Sequence, residues 1–346
     1  MSYEHGWKAL NLQMTDAIPH TEYCSHPDLV KHITGLDPRK KEEENEAWRK
    51  FYLLTDYDFL WMSNDGPEWK GRVTNMGHAV FQEGGTDFDA NIKCPFETPD
   101  DVLNFSPVRE YGIPDIKERR DYFKELWEKG QKENHTLVYP GGYYKTMFSA
   151  CIQAFGWDMF LLSVGMDEKK FDRVLEEFFE ISLANFRAWS ETGIKAFICH
   201  DDIVWTSGPV FNPVWYRKYI FPRYRKLWKV IKDKGIILLF CSDGNFDEFV
   251  DDAAECGADG FIFEPLTNLE RIAGKYGKTK VIIGNIDTRI LTFGNKEGIY
   301  NEVKRCVDIG GNLPGYFFAV GNHIPHNVPL DNALYYFELI RKLGKR

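Results

Sequence analysis

Eight short apolar runs, each set against a longer stretch of helical periodicity, leave this chain few folds to choose from. The runs are HTEYC (20–24), DFLWMS (58–63), TLVYPG (136–141), AFICH (196–200), IILLFC (236–241), GFIFEP (260–265), KVIIGN (280–285) and YFFAV (316–320). Several are apolar on both faces, as strands are when helices cover the outside and side chains fill the inside. Helical periodicity is predicted over roughly 40–53, 116–130, 167–191, 212–234, 246–256, 297–309 and 330–343. Alternation of this kind predicts an α/β (β/α)8 TIM barrel, and such barrels run to this length as one domain, here residues 1–346. One segment breaks the pattern. Residues 64–115, between strands two and three, exceed a simple crossover and are rich in Gly, Pro, Asp and aromatics. They are expected to be an insertion over the barrel mouth, with a hairpin around VFQEGGTDFDA (80–90).

Charge and cysteine usage narrow the function. A formal charge of −9 argues against a nucleic-acid binder, which carries a basic footprint. Seven cysteines, odd in number and without a CxxC pair, fit reduced thiols in a cytoplasm. The N-terminal MSYEHGWKALNLQ has no basic segment leading into an apolar run, and no uncharged apolar stretch approaches 18 residues. A cytoplasmic protein with no membrane span is expected. The tempting basic helix 212–234 places Trp215, Tyr219, Leu227, Trp228 and Ile231 at helical spacing, so it reads as an outer barrel helix with a solvated face.

A barrel makes position informative, because sites of this fold lie at the C-terminal ends of the strands. Strand four ends in Cys199-His200-Asp201-Asp202 and strand five in Cys241-Ser242-Asp243. Strand six supplies Glu264, strand seven Asn285 and Asp287, and the loop after strand eight His323 and His326. Thiol, imidazole and carboxylates converging on one mouth can hold zinc with a position open for substrate. Blander readings stand beside this one. The pair Asp201-Asp202 can cap the segment that follows, Asp287 in NIDT can be a turn residue, His326 reads as a loop hydrogen-bonder, and Cys199 can pack as a small hydrophobe.

The strand ends HDDIVW (200–205), FCSDGN (240–245), GADGFIFEP (257–265), IIGNID (282–287) and GNHIPHNVPLDN (321–332) resemble, in this order, the uroporphyrinogen decarboxylase superfamily. That superfamily is a TIM barrel and holds cofactor-free decarboxylases of uroporphyrinogen beside zinc-dependent methyltransferases that work with corrinoid proteins. The decarboxylases carry an Arg-rich N-terminal segment that grips substrate carboxylates. Here that region reads IPHTEYCSHPDLV, and no arginine precedes Arg39, so uroporphyrinogen is not the expected substrate. The thiol-methylating branch has a His-x-Cys pair at strand five and a later Cys near strand eight. Those places hold Cys241, Asp243 and Asn322-His323, which is not the thiol-activating set.

The opening GWKALNLQMTDAIPHTEYCSHPDLVKHITGLDP and the aromatic-rich insertion are most similar to the methyltransferase I component of corrinoid-dependent aryl methyl ether O-demethylases of anaerobic bacteria. The resemblance implies a guaiacol-, vanillate- or veratrole-type ether as donor, and as acceptor the Co(I) of a cobalamin carried by a partner corrinoid protein. This chain has no DxHxxG cobalamin motif of its own. It implies a zinc ion on Cys241, Glu264 and His323, with Asp243 competing with Glu264, and Asp287 with Glu302 as a second pair. Asp202 or His200, beside Asp201, would serve as general acid or orient the ring, and Tyr139, Tyr143, Tyr144, Trp61 and Phe211 would wall an aromatic pocket. The rival expectations are a decarboxylase acting on a smaller or different acid, a zinc methyltransferase with another donor or acceptor, and a ligand-binding barrel without chemistry.

Overall fold

The computed structural model describes residues 3–76 and 92–346, so the hairpin expected around residues 80–90 lies outside the described residues. Five of the eight apolar runs lie in one parallel sheet whose strands, in chain order, are Gly141–Tyr143, Ala196–His200, Ile237–Ser242, Gly260–Phe263, Val281–Ile283 and Tyr316–Phe317; the first of these begins only at the last residue of the expected run 136–141, which itself pairs through Val138 alone. The first two runs close the barrel through isolated bridges, His20 to Phe318 and Cys24 to Ile324 for the first and Phe59 to Val138 for the second, and the Asp58 N–H donates to the His20 carbonyl at 2.9 Å. They are shorter than the expected strands because side chains stand in for the ladder. The His20 N–H goes to the Asp58 carboxylate (3.1 Å) and the Val320 N–H to the Glu22 carboxylate (2.7 Å).

Period-two alternation divides the strand residues between two cores. Phe59, Trp61, Val138, Ala196, Ile198, Leu239, Cys241, Ile262, Val281, Ile283, Phe317 and Ala319 fill the barrel, and Ala9 and Leu10 of the helix Tyr3–Leu10 pack into the same cluster. Their neighbours Phe197, Cys199, Phe240, Phe261 and Phe263 face the helices instead. The Trp228 indole, on helix Phe221–Lys232, donates to Cys199 Sγ at 3.2 Å, which settles that thiol in the helix layer.

The expected helix over 212–234 is two helices, Pro213–Tyr219 and Phe221–Lys232, broken at Ile220 just before Pro222, which has no N–H to continue the ladder. Helix Phe148–Met166 has the length and apolar composition of a membrane span, yet 61% of that window is buried in the fold. It is a core helix here. The described part of residues 64–115 holds two short helices, Pro99–Leu103 and Pro107–Tyr111, each started by a hydroxyl cap. They lean on the helices Phe148–Met166 and Glu168–Ser190: Phe96 meets Phe155 edge-on at 5.1 Å, and Arg173 donates to the carbonyls of Leu103 and Phe105. At the start of the segment, Asn64 donates to the Gly142 carbonyl and Asp65 accepts from the Tyr144 and Lys145 N–H groups, tying it to the end of the third strand.

Candidate active site at the strand ends

The parity that fills the barrel also decides what reaches its mouth. Ala196 and Ile198 point inward, so His200 follows them, while Leu239 and Cys241 bring Asp243, and Ile262 brings Glu264. His200 and Cys241 are register partners on adjacent strands and touch through their side chains. Asp202 ties the group together. Its Oδ1 meets His200 Nε2 at 3.1 Å and accepts the Asp243 N–H at 3.0 Å, its Oδ2 accepts the Tyr144 hydroxyl at 3.0 Å, and its own N–H donates to Ser149 Oγ at 2.9 Å. Asn322 joins the next strand to the group: its Nδ2 donates to Asp243 Oδ2 (3.0 Å) and Glu264 Oε1 (3.1 Å), and its Oδ1 meets His323 Nδ1 at 2.9 Å.

Electrostatics follow from burial and these neighbours. Burial opposes a charge on His200, but Cys241 and Asp202 beside it outweigh that and lift it well above the ordinary imidazole range. Asp202 shows the complementary balance, with burial pushing it up and His200 bringing it below the usual carboxylate value. Burial pushes the Cys241 thiol up to about 11 and raises Glu264, while it lowers His323 to about 3.

Among the described residues, one group of three ligand-bearing side chains converges: one atom each from His200, Asp202 and Asp243, all within 4.8 Å of one another. An imidazole nitrogen and two carboxylate oxygens are donors that zinc accepts, and three protein ligands leave a position for substrate. The residues therefore fit a divalent metal. The trio differs from the Cys241, Glu264 and His323 set expected from the sequence. Cys241 lies beneath, 1% exposed, and Glu264 and His323 are joined to the trio through Asn322.

Other expected residues sit elsewhere. Asp201 faces away from the mouth, where its carboxylate accepts the N–H groups of Met147, Phe148 and Ser149 and the Tyr224 hydroxyl. Asp287 caps the helix Thr288–Phe293 and pairs with Arg289, and Glu302 holds Arg305 and the Asp287 N–H. These are scaffold contacts. Of the expected aromatic wall, Trp61 belongs to the barrel interior and Tyr144 to the mouth. Tyr139 packs against Gly130, Tyr143 accepts from Asn185, and Phe211 meets Phe148 and Phe160 edge-on and Trp215 at a tilt, all in the helix layer. Tyr23, 46% exposed, stands 6.3 Å from both the Trp61 and His323 rings and adds an aromatic rim that the sequence did not announce.

The turn after strand five is built on Gly244, whose N–H donates to Glu264 Oε2. Its φ is +79°, and a Cβ there would meet the Trp205 carbonyl oxygen at 2.7 Å. Gly244→Ala is expected to cost about 1–3 kcal/mol and to lower activity by moving Glu264. Urea denaturation alongside an activity assay checks both; an alanine variant as stable as the parent would sink the reading of this turn.

A parallel barrel with a polar cluster at its C-terminal strand ends defines the class, an α/β-barrel enzyme. Residues 146–343, more than half of the chain, match the Uroporphyrinogen decarboxylase (URO-D) family, and the chain belongs to it. A Uroporphyrinogen decarboxylase of Geobacter metallireducens is 24% identical over 257 residues, covering 72% of this chain and 73% of that one. A second, of Syntrophotalea carbinolica, is 28% identical over 171 residues, and the match spans about half of each chain, 49% here and 48% there. Among solved structures, a methyltransferase from Methanosarcina mazei superposes with a TM-score of 0.66 at 15% identity, covering 99% of both chains. That likeness is one of fold.

Proposed function

We propose that this protein is a cytoplasmic, zinc-dependent methyltransferase that demethylates an aryl methyl ether and passes the methyl group to the Co(I) of a partner corrinoid protein. The observation that carries the reading is the convergence of His200, Asp202 and Asp243 within 4.8 Å, at the strand ends of the barrel. Zinc held there would supply a Lewis acid for the ether oxygen, whose departure as phenolate is the difficult part of the reaction. The chain's own residues do the rest. Trp61 and Tyr144, with Tyr23 at the rim, offer ring faces and edges to an arene. Glu264 and Asp243, held by one Asn322 amide, place negative charge around the mouth and favour a neutral donor over an acidic one. Arg39, the first arginine of the chain, is paired with Asp37 and Asp28 and is not held ready for a substrate carboxylate.

A second reading, a decarboxylase acting on a smaller acid, is supported by the names of the relatives from Geobacter metallireducens and Syntrophotalea carbinolica. One anaerobic experiment separates the two. Purified protein is given zinc, cob(I)alamin and a panel of guaiacol, vanillate and veratrole, and visible spectra are recorded. The expected result is the methyl-cobalt spectrum with at least one ether, lost after chelation. Protein without bound zinc that releases CO2 from an acid, and forms no methyl-cobalt, would replace the first reading with the second.

A further inference from the structure

Tyr144 follows the strand Gly141–Tyr143, and the alternation that turns Tyr143 into the helix layer turns Tyr144 toward the mouth. It is 7% exposed, and its backbone is anchored by the N–H bond to Asp65 Oδ1 at 2.6 Å. From that anchor one side chain reaches two of the three converging residues. The hydroxyl donates to Asp202 Oδ2 at 3.0 Å, and the ring stands edge-on to His200, 4.7 Å between centroids at 76°.

We infer that Tyr144 is a positioning residue of the metal site, orienting the carboxylate of Asp202 and the plane of the His200 ring for coordination. The inference rests on the metal reading above. A carboxylate can turn about its Cβ–Cγ bond, and a donor trio is useful only when its lone pairs converge on one point. Asp202 Oδ1 is already fixed by the Asp243 N–H and His200, so the hydroxyl on Oδ2 removes the remaining rotation and leaves one direction on that oxygen open. The tilted ring similarly limits the imidazole to one plane. Groups that orient ligands in this way change metal affinity without touching the ion.

Tyr144→Phe tests this, because it keeps the ring and removes only the hydroxyl. Metal-free wild type, Tyr144→Phe and Tyr143→Phe are titrated with Zn2+ against a competing chelator, and each is loaded with Co2+ for its visible spectrum. Tyr144→Phe is expected to lose about 10- to 100-fold in zinc affinity and to shift the Co2+ bands, reporting altered ligand geometry. Tyr143→Phe removes a hydroxyl from the neighbouring residue, on the helix-layer side, and is expected to leave both readouts unchanged. Equal affinity and an unshifted spectrum in Tyr144→Phe would overturn the inference, as would an equal loss in Tyr143→Phe, which would mean general loosening. Wild-type protein that binds neither metal would remove the metal reading itself, and this inference with it.

Discussion

Asp201→Ala is expected to destabilise the fold by about 3–5 kcal/mol, measured by urea denaturation at constant pH, although its neighbour Asp202 stands in the candidate site. The Asp201 side chain, fully buried, accepts three backbone N–H groups from Met147, Phe148 and Ser149, where helix Phe148–Met166 begins. That helix has no cap of its own, since Met147 in the cap position offers no acceptor. Asp201 is thus a cap delivered from another strand, and the Tyr224 hydroxyl completes its shell at 2.6 Å. Alanine would leave three buried donors and a phenol without an acceptor. The pH dependence carries a definite sign. Burial pushes Asp201 up to about 6 from its ordinary 3.8, so the folded protein keeps this proton after the unfolded chain has released it. Its contribution is complete below about pH 4 and declines as pH rises through 6, by roughly 3 kcal/mol in all for a shift of about two units. The alanine variant lacks this decline, so its gap from wild type narrows between about pH 4 and pH 6. A variant that is inactive yet as stable as wild type would move Asp201 from the scaffold to the chemistry.

The contrast between Asp201 and Asp202 shows what could be read in the sequence and what could not. Eight apolar runs and the helices between them were enough to predict the barrel, and with it the edge at which His200, Asp243 and Glu264 would gather. Which side chain of each pair faces the mouth was hidden. AFICH is buried on both faces, so hydrophobicity does not alternate along it and carries no parity signal. The same loss explains why Tyr139 and Tyr143 were grouped with Tyr144, although the first two pack outward. Asn322 could not be found as a hub because its carboxylate partners lie 79 and 58 residues away. The first two strands were overdrawn for a different reason. Glu22 and Asp58 take backbone N–H groups into their carboxylates, a pairing that an apolar-run count does not see.

Asp243→Asn is expected to cost the protein its metal and not its fold. Asp243 is partly exposed, and the bond it accepts from Asn322 Nδ2 can pass to the carboxamide oxygen of asparagine with little rearrangement. The change also removes one negative charge from a crowded mouth, where Asp202 raises Glu264 and Asp243 raises the Cys241 thiol. The metal-free variant should therefore melt with wild type or above it, by about 0.5–2 kcal/mol, as happens when a strained site is relieved. Metal binding should respond in the opposite direction. One of three converging donors loses its charge and half its coordinating capacity, so zinc affinity should fall by more than the roughly 10- to 100-fold typical of losing an outer-shell partner. Methyl transfer should fall with it, and excess zinc should restore part of the activity. Calorimetric zinc titration and thermal melting of the same metal-free sample check both halves. Wild-type affinity in Asp243→Asn would remove Asp243 from the site. Loss of activity in a protein whose wild type holds no zinc would instead assign Asp243 to acid–base chemistry, as a decarboxylase requires.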